Sequence, residues 1–132
     1  METAKLVRFG RAVLSALGRS RWSVSLFIVD DAAIRRLNRE WRGIDRATDV
    51  LSFPAGEDPS RVLGDVVISA PRAVAQARRY RVTTTQELRR LLVHGILHLM
   101  GYDHVKRQER QAMRAKEDEL LRAAARRSAT RA

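Results

Sequence analysis

The chain has 132 residues, 45% of them apolar, and sets 26 basic against 15 acidic side chains for a net charge of +11. That length suits one domain spanning residues 1–132 with a modest core, and the apolar content excludes a disordered chain. With no cysteine, disulfides and thiolate metal sites are excluded, so a metal here must be held by nitrogen and oxygen.

Taken in order, the first predicted element is an amphipathic helix over about 5–17, where Leu6, Phe9, Val13, Leu14 and Leu17 share a face and Gly18 can stop it. Residues 22–29 read as a strand, with Trp22, Val24, Leu26 and Ile28 in alternation. Asp30 or Asp31 can cap a short helix carrying Ile34, Leu37 and Trp41, and a polar loop runs from Arg42 to Ala47. Val50, Leu51 and Phe53 belong to a strand ended by Pro54, and Gly56, Asp58 and Pro59 bring turn chemistry. Leu63 to Ser69 is a further strand, and Ser69 followed by Pro71 opens a helix. Thr84 and Glu87 have capping-box spacing and open a longer helix to about Met100, where Gly101 can stop it. A last helix is expected over about 106–125, with Val105, Ala112, Met113, Leu120 and Leu121 toward the core; the basic end, 122–132, is expected to fray. These elements predict an α/β (α+β) layer fold: a small mixed sheet of three to four strands packed with about five helices.

The N-terminus has no long apolar h-region, and no stretch approaches the ~18 apolar residues of a membrane span, so a soluble cytoplasmic protein without a membrane partner is expected. Only Lys5, Lys106 and Lys116 are lysines; the remaining cations are arginines. A basic surplus of this size suits a polyanion, of which nucleic acid is the commonest.

The three histidines lie within eleven residues, His94-Gly95-Ile96-Leu97-His98-Leu99-Met100-Gly101-Tyr102-Asp103-His104. On a helix His94 and His98 are one turn apart, ~6 Å along the axis, so both imidazoles can face one ion. Gly101 lets the chain turn and bring His104 back as a third ligand. Three nitrogen ligands with an open fourth position are the layout of a catalytic zinc site, here at the end of a helix apolar nearly all round. The spacing His-x3-His-x2-Gly-x2-His is that of metzincin proteases, except that their general-base glutamate falls on Gly95. The metal-ligand spacing is thus kept, while the usual metalloprotease mechanism loses its proton acceptor. Close backbone approach at Gly95 is expected to leave room for a bulky substrate.

The run HGILHLMGYDH over 94–104 resembles the signature of the YbeY endoribonuclease family, the bacterial rRNA maturation factors. Leu37-Asn38, Trp41-Arg42 and Thr48-Asp49-Val50-Leu51-Ser52-Phe53-Pro54 look like its central block, and Leu63-Gly64-Asp65-Val66-Val67-Ile68 like the strand that follows. The resemblance covers about 24–121. It implies one zinc ion (Zn2+) on His94, His98 and His104 and cleavage of single-stranded RNA. It also implies a role in maturing small-subunit rRNA and in ribosome quality control. The implied partners are the small ribosomal subunit, a ribosomal protein and the GTPase Era. The family's functional arginine falls on Arg42, whose planar guanidinium can grip a phosphate with parallel donors. Two alternatives remain at this level: a ribosome- or RNA-binding assembly factor with a mainly structural metal, and a metalloprotease-like hydrolase. Asp103 is a candidate acceptor for an imidazole N–H or a turn residue, Asp49 and Asp65 are candidates to line the cleft, and Tyr102 is expected to pack. Arg35, Arg36, Arg39, Arg46, Arg78, Arg79 and Arg81 could form a phosphate-tracking surface.

Overall fold

A computed structural model describes residues 3–56, 60–102 and 106–130, with side chains to 128. The first helix, α1 (Thr3–Ala16), buries Leu6, Phe9, Val13 and Leu14 and ends where Gly18 takes a left-handed conformation, φ 72°. Strand β1 (Ser23–Val29) leads directly to α2 (Asp31–Arg42). Asp30 caps α2, its Oδ1 accepting the Ala33 N–H at 2.8 Å. At the other end Gly43 adopts φ 71° and donates its N–H to the Arg39 carbonyl. A Cβ-bearing residue adopts that conformation at a cost, so the glycine lets α2 stop cleanly after Trp41 and Arg42. The Arg42 charge then sits on the last turn, where the helix dipole favours a cation.

Strands β2 (Val50–Pro54) and β3 (Val62–Ser69) complete a three-stranded mixed sheet of order β1-β3-β2. The central β3 runs parallel to β1 (Phe27 beside Val67) and antiparallel to β2 (Leu51 beside Val67). Alternation then divides the sheet. Val66 and Ile68 face the main core, whereas Val67 and Leu51 meet Ile34 of α2 on the other side. Helix α3 (Ala70–Tyr80) starts at Ser69, whose Oγ accepts the Arg72 N–H and donates to Asp31 Oδ1 at 2.7 Å. Helix α4 (Thr84–Leu99) lies across the sheet, and α5 (Arg107–Thr130) packs along α1 and α4. The expected α+β architecture is therefore present, with three strands and five helices among the described residues. No described helix is long and apolar enough to cross a membrane.

Three expectations need correction. The capping box that opens α4 is Thr83 with Gln86, one residue earlier than Thr84 with Glu87: Thr83 Oγ1 accepts the Gln86 N–H at 3.0 Å and Gln86 Oε1 accepts the Thr83 N–H at 2.8 Å. Glu87 is instead buried, gripped by Arg90 through two hydrogen bonds of 2.9 and 2.8 Å and by Gln76. The described part of the basic end, 122–130, is helical. α5 continues to Thr130, Ala124 is fully buried, and Arg127 donates to Ser15 Oγ at 2.7 Å. The buried stripe of α5 runs Met113, Glu117, Leu120 and Ala124; Ala112 faces solvent and Val105 lies outside the described residues. α1 gives this stripe a partner surface that composition alone conceals.

The third correction concerns Gly95. A Cβ there would lie 2.6 Å from Val66 Cγ1 and 3.3 Å from Ser52 Oγ. The missing side chain lets α4 settle onto the sheet and leaves no room for a substrate. Ser52 Oγ donates to the Gly95 carbonyl at 2.9 Å, fastening β2 to the helix at the same point.

Candidate functional site

α4 is apolar on the faces that meet the sheet and α1, with Leu88, Leu91, Leu92, Ile96 and Leu99 buried. Its remaining edge carries His94 and His98, both half-buried, at the spacing that stacks them one turn apart. Their rings lie edge-on with centroids 4.7 Å apart, and the two Nε2 atoms face each other at 3.1 Å. His94 Nδ1 lies 2.5 Å from Glu117 Oε1 of α5. A carboxylate that close takes the imidazole proton onto Nδ1 and leaves the Nε2 lone pair turned toward His98.

Two nitrogens on one tetrahedral zinc ion, each ~2.0–2.1 Å from it, stand about 3.3 Å apart. The observed pair is within a few tenths of an ångström of that spacing. The donor set, neutral imidazole nitrogens with a carboxylate behind one of them, is also the chemistry such an ion takes. His94 and His98 therefore fit a zinc-type ion. Among the described residues no third His, Asp or Glu joins them in a metal-holding group. His104, the expected third ligand, and Asp103 lie outside the described residues.

The histidines open onto a cleft of about 620 Å³ between the end of α2, β2 and the end of α4. Arg42, Thr48, Asp49, Ser52 and Tyr102 line it with them. Arg42 is exposed and makes no ion pair among the described residues, so its charge is directed at the cleft and solvent. Asp49 is the one carboxylate among the described lining residues; its Oδ1 accepts the Val50 N–H at 2.8 Å, which holds it at the mouth of β2. Tyr102 packs against the core as expected and also forms part of the wall.

Other candidates fall elsewhere. Asp65 pairs across the sheet with Phe53 and is not among the lining residues. Arg78, Arg79 and Arg81 precede α4, whose start is about 20 Å along the helix from His98, and none of them lines the cleft. Arg35 and Arg39 are turned to Asp45, at 2.9 and 3.8 Å. The Arg35 hydrogen bond holds the Asp45 carboxyl below its ordinary range. Behind the histidines, burial pushes the Glu87 carboxyl up, but the hydrogen bonds from Arg90 and Gln76 and the Arg90 charge outweigh it and hold Glu87 ionised below its ordinary value. Arg90 is in turn held charged by Glu87 first, and by the nearby charges of Glu117 and Asp49.

The chain matches the family model described as Endoribonuclease YbeY over residues 3–125. It belongs to the endoribonuclease YbeY family. A relative named endoribonuclease YbeY from Anaeromyxobacter sp. (strain Fw109-5) is 53% identical over 114 residues, covering 85% of this chain and 59% of that protein. Another of the same name from Myxococcus xanthus (strain DK1622) is 50% identical over 121 residues, covering 88% of this chain and 41% of that protein. The chain thus spans only about two-fifths to three-fifths of these two relatives' length. The solution structure of a Thermotoga maritima protein superposes with a TM-score of 0.67 at 28% identity, covering 92% of this chain and 82% of that one. In this YbeY-family chain, Arg42 and the stretch Thr48 to Pro54 meet the distant stretch His94 to Tyr102 at one cleft. The residue that sequence reasoning missed is Glu117. Its signal was present: it occupies the buried stripe between Met113 and Leu120, where a carboxylate needs a partner.

Proposed function

We infer that this chain is a zinc-dependent endoribonuclease that cuts single-stranded RNA, with His94, His98 and His104 holding one ion. The observation that carries the reading is the pair of facing Nε2 atoms, 3.1 Å apart, in the same cleft as Arg42. Membership of the family and the +11 charge support RNA as the substrate. When bound, a zinc ion with an open position supplies Lewis acidity toward a phosphate oxygen and an activated nucleophile at neutral pH. Glu117 keeps the His94 proton on Nδ1, so that Nε2 remains a ligand. Arg42 offers N–H donors to the non-bridging phosphate oxygens, where negative charge grows as the phosphodiester breaks. The walls of Tyr102 and Val50 exclude part of the water from this encounter.

Position 95 favours this chemistry over peptide hydrolysis. Its Cβ direction runs into Val66, so the site where metzincins carry a glutamate is closed by the sheet. The biological setting proposed is that implied by the resemblance: maturation of small-subunit rRNA and ribosome quality control in the cytoplasm, in contact with the small subunit, a ribosomal protein and the GTPase Era.

The test is cleavage of a labelled single-stranded rRNA fragment by Arg42→Ala and Arg42→Lys. Removing a donor that meets growing charge costs about 10²–10³ in rate, so Arg42→Ala is expected to lose that much at unchanged zinc content, with Arg42→Lys between. Cleavage at the wild-type rate by Arg42→Ala would remove Arg42 from the reaction.

A further inference from the structure

Trp41 is 70% exposed, the most exposed of the large apolar side chains among the described residues. It lies on the last turn of α2, next to Arg42, which lines the cleft. Its ring stands edge-on to Phe53, centroids 6.4 Å apart at 66°. Phe53 points to the α2 face of the sheet, where it packs with Ile34, Leu51 and Val67, while its neighbours Ser52 and Pro54 line the cleft on the other face. Phe53 thus steadies the indole from one side and leaves most of it in solvent, one residue from Arg42. Core packing does not account for a tryptophan in this position, because its area remains in water.

We propose that Trp41, backed by Phe53, is a stacking subsite for an unpaired base of the RNA strand whose neighbouring phosphate reaches Arg42. The proposal rests on the nuclease reading above and names how its substrate is held. Charge decides the occupant. Between positions 35 and 46 five arginines (Arg35, Arg36, Arg39, Arg42 and Arg46) outnumber the two carboxylates Glu40 and Asp45, and Asp45 is engaged by Arg35 and Arg39. An apolar protein surface laid over Trp41 would strip water from these guanidinium groups without replacing it. A nucleotide satisfies both features, its base against the indole and its phosphate against arginine. In a duplex both faces of each base are covered by neighbouring bases, so the subsite selects single strands.

The experiment uses the zinc-loaded protein and a 2′-O-methyl octanucleotide, its abasic counterpart, and the octamer annealed to its complement. The chain has two tryptophans, and Trp22 packs under Arg19 outside the cleft lining, so a Trp22→Phe background leaves Trp41 as the sole tryptophan reporter. Single-stranded octamer is expected to quench that fluorescence, and the abasic strand and the duplex are not. Trp41→Ala is expected to weaken single-strand binding about 5- to 150-fold, the worth of one base on an aromatic ring, while Trp41→Phe keeps most of the affinity. Single-strand binding by Trp41→Ala within about twofold of wild type, or saturation without quenching, overturns the proposal. A change in oligomeric state with unchanged RNA affinity also overturns it, assigning the surface to a protein contact. The two readings fail separately. Wild-type protein that binds the octamer with quenching but never cuts the unmodified RNA strand refutes the nuclease alone. Trp41→Ala that binds and cuts like wild type refutes the subsite alone.

Discussion

An imidazole with a carboxylate oxygen 2.5 Å from Nδ1 has its tautomer decided for it, and the consequence for His94 is a lone pair aimed at His98. Removing that acceptor leaves the ring free to rotate and to protonate on the wrong nitrogen, which typically costs about 10–100-fold in metal affinity. Glu117→Leu, which keeps the volume and offers no acceptor, is therefore expected to weaken zinc binding by at least about tenfold in a chelator competition. Unchanged affinity would mean that Glu117 only fills space. The histidines were legible in the sequence because a helix converts a four-residue spacing into proximity without help from the rest of the fold. Glu117 was not, because it lies 23 residues from His94 and its burial depends on which side of α5 meets α4. Arg42 was legible only through the resemblance, since its charge looks like that of any other arginine in an arginine-rich chain.

Among elements, the seam between α4 and the sheet is the tightest. Alanine at position 95 would gain about 1 kcal/mol of helix propensity over glycine, but its methyl group would overlap Val66, which is fully buried on the central strand. Overpacking of that kind costs about 1–3 kcal/mol, toward the upper end here because both Val66 methyl groups lie within 3.0 Å and the Ser52 hydrogen bond ties α4 to β2. Gly95→Ala is expected to lower stability by about 1–2 kcal/mol in urea unfolding, and Val66→Ala is expected to restore part of the loss in the double variant. A Gly95→Ala protein as stable as wild type would show that α4 shifts freely. Helix and strand positions were read well because periodicity is a local signal. The boundaries were read less well for identifiable reasons. Thr83 and Thr84 can both open a capping box from sequence, and the choice falls to Thr83 because Glu87 is drawn inward by Arg90 and Gln76. The end of α5 looked polar and frayed, yet Ala124 and Arg127 find partners on α1.

At the scale of the whole molecule, the cleft exists because three connections end near one another: α2 terminated by Gly43, the start of β2 at Asp49 and Val50, and the last turns of α4. Periodicity does not predict that meeting, since it depends on β3 running between β1 and β2 and on which face each helix covers. The central proposal is that His94 and His98 hold a metal ion and that this ion and the cleavage of RNA in this cleft go together. The most direct test is zinc content and single-stranded rRNA cleavage measured on the same preparations of wild type and folded His98→Ala. Loss of zinc and of cleavage together is the predicted result. Equal cleavage by a zinc-free His98→Ala protein would contradict the account.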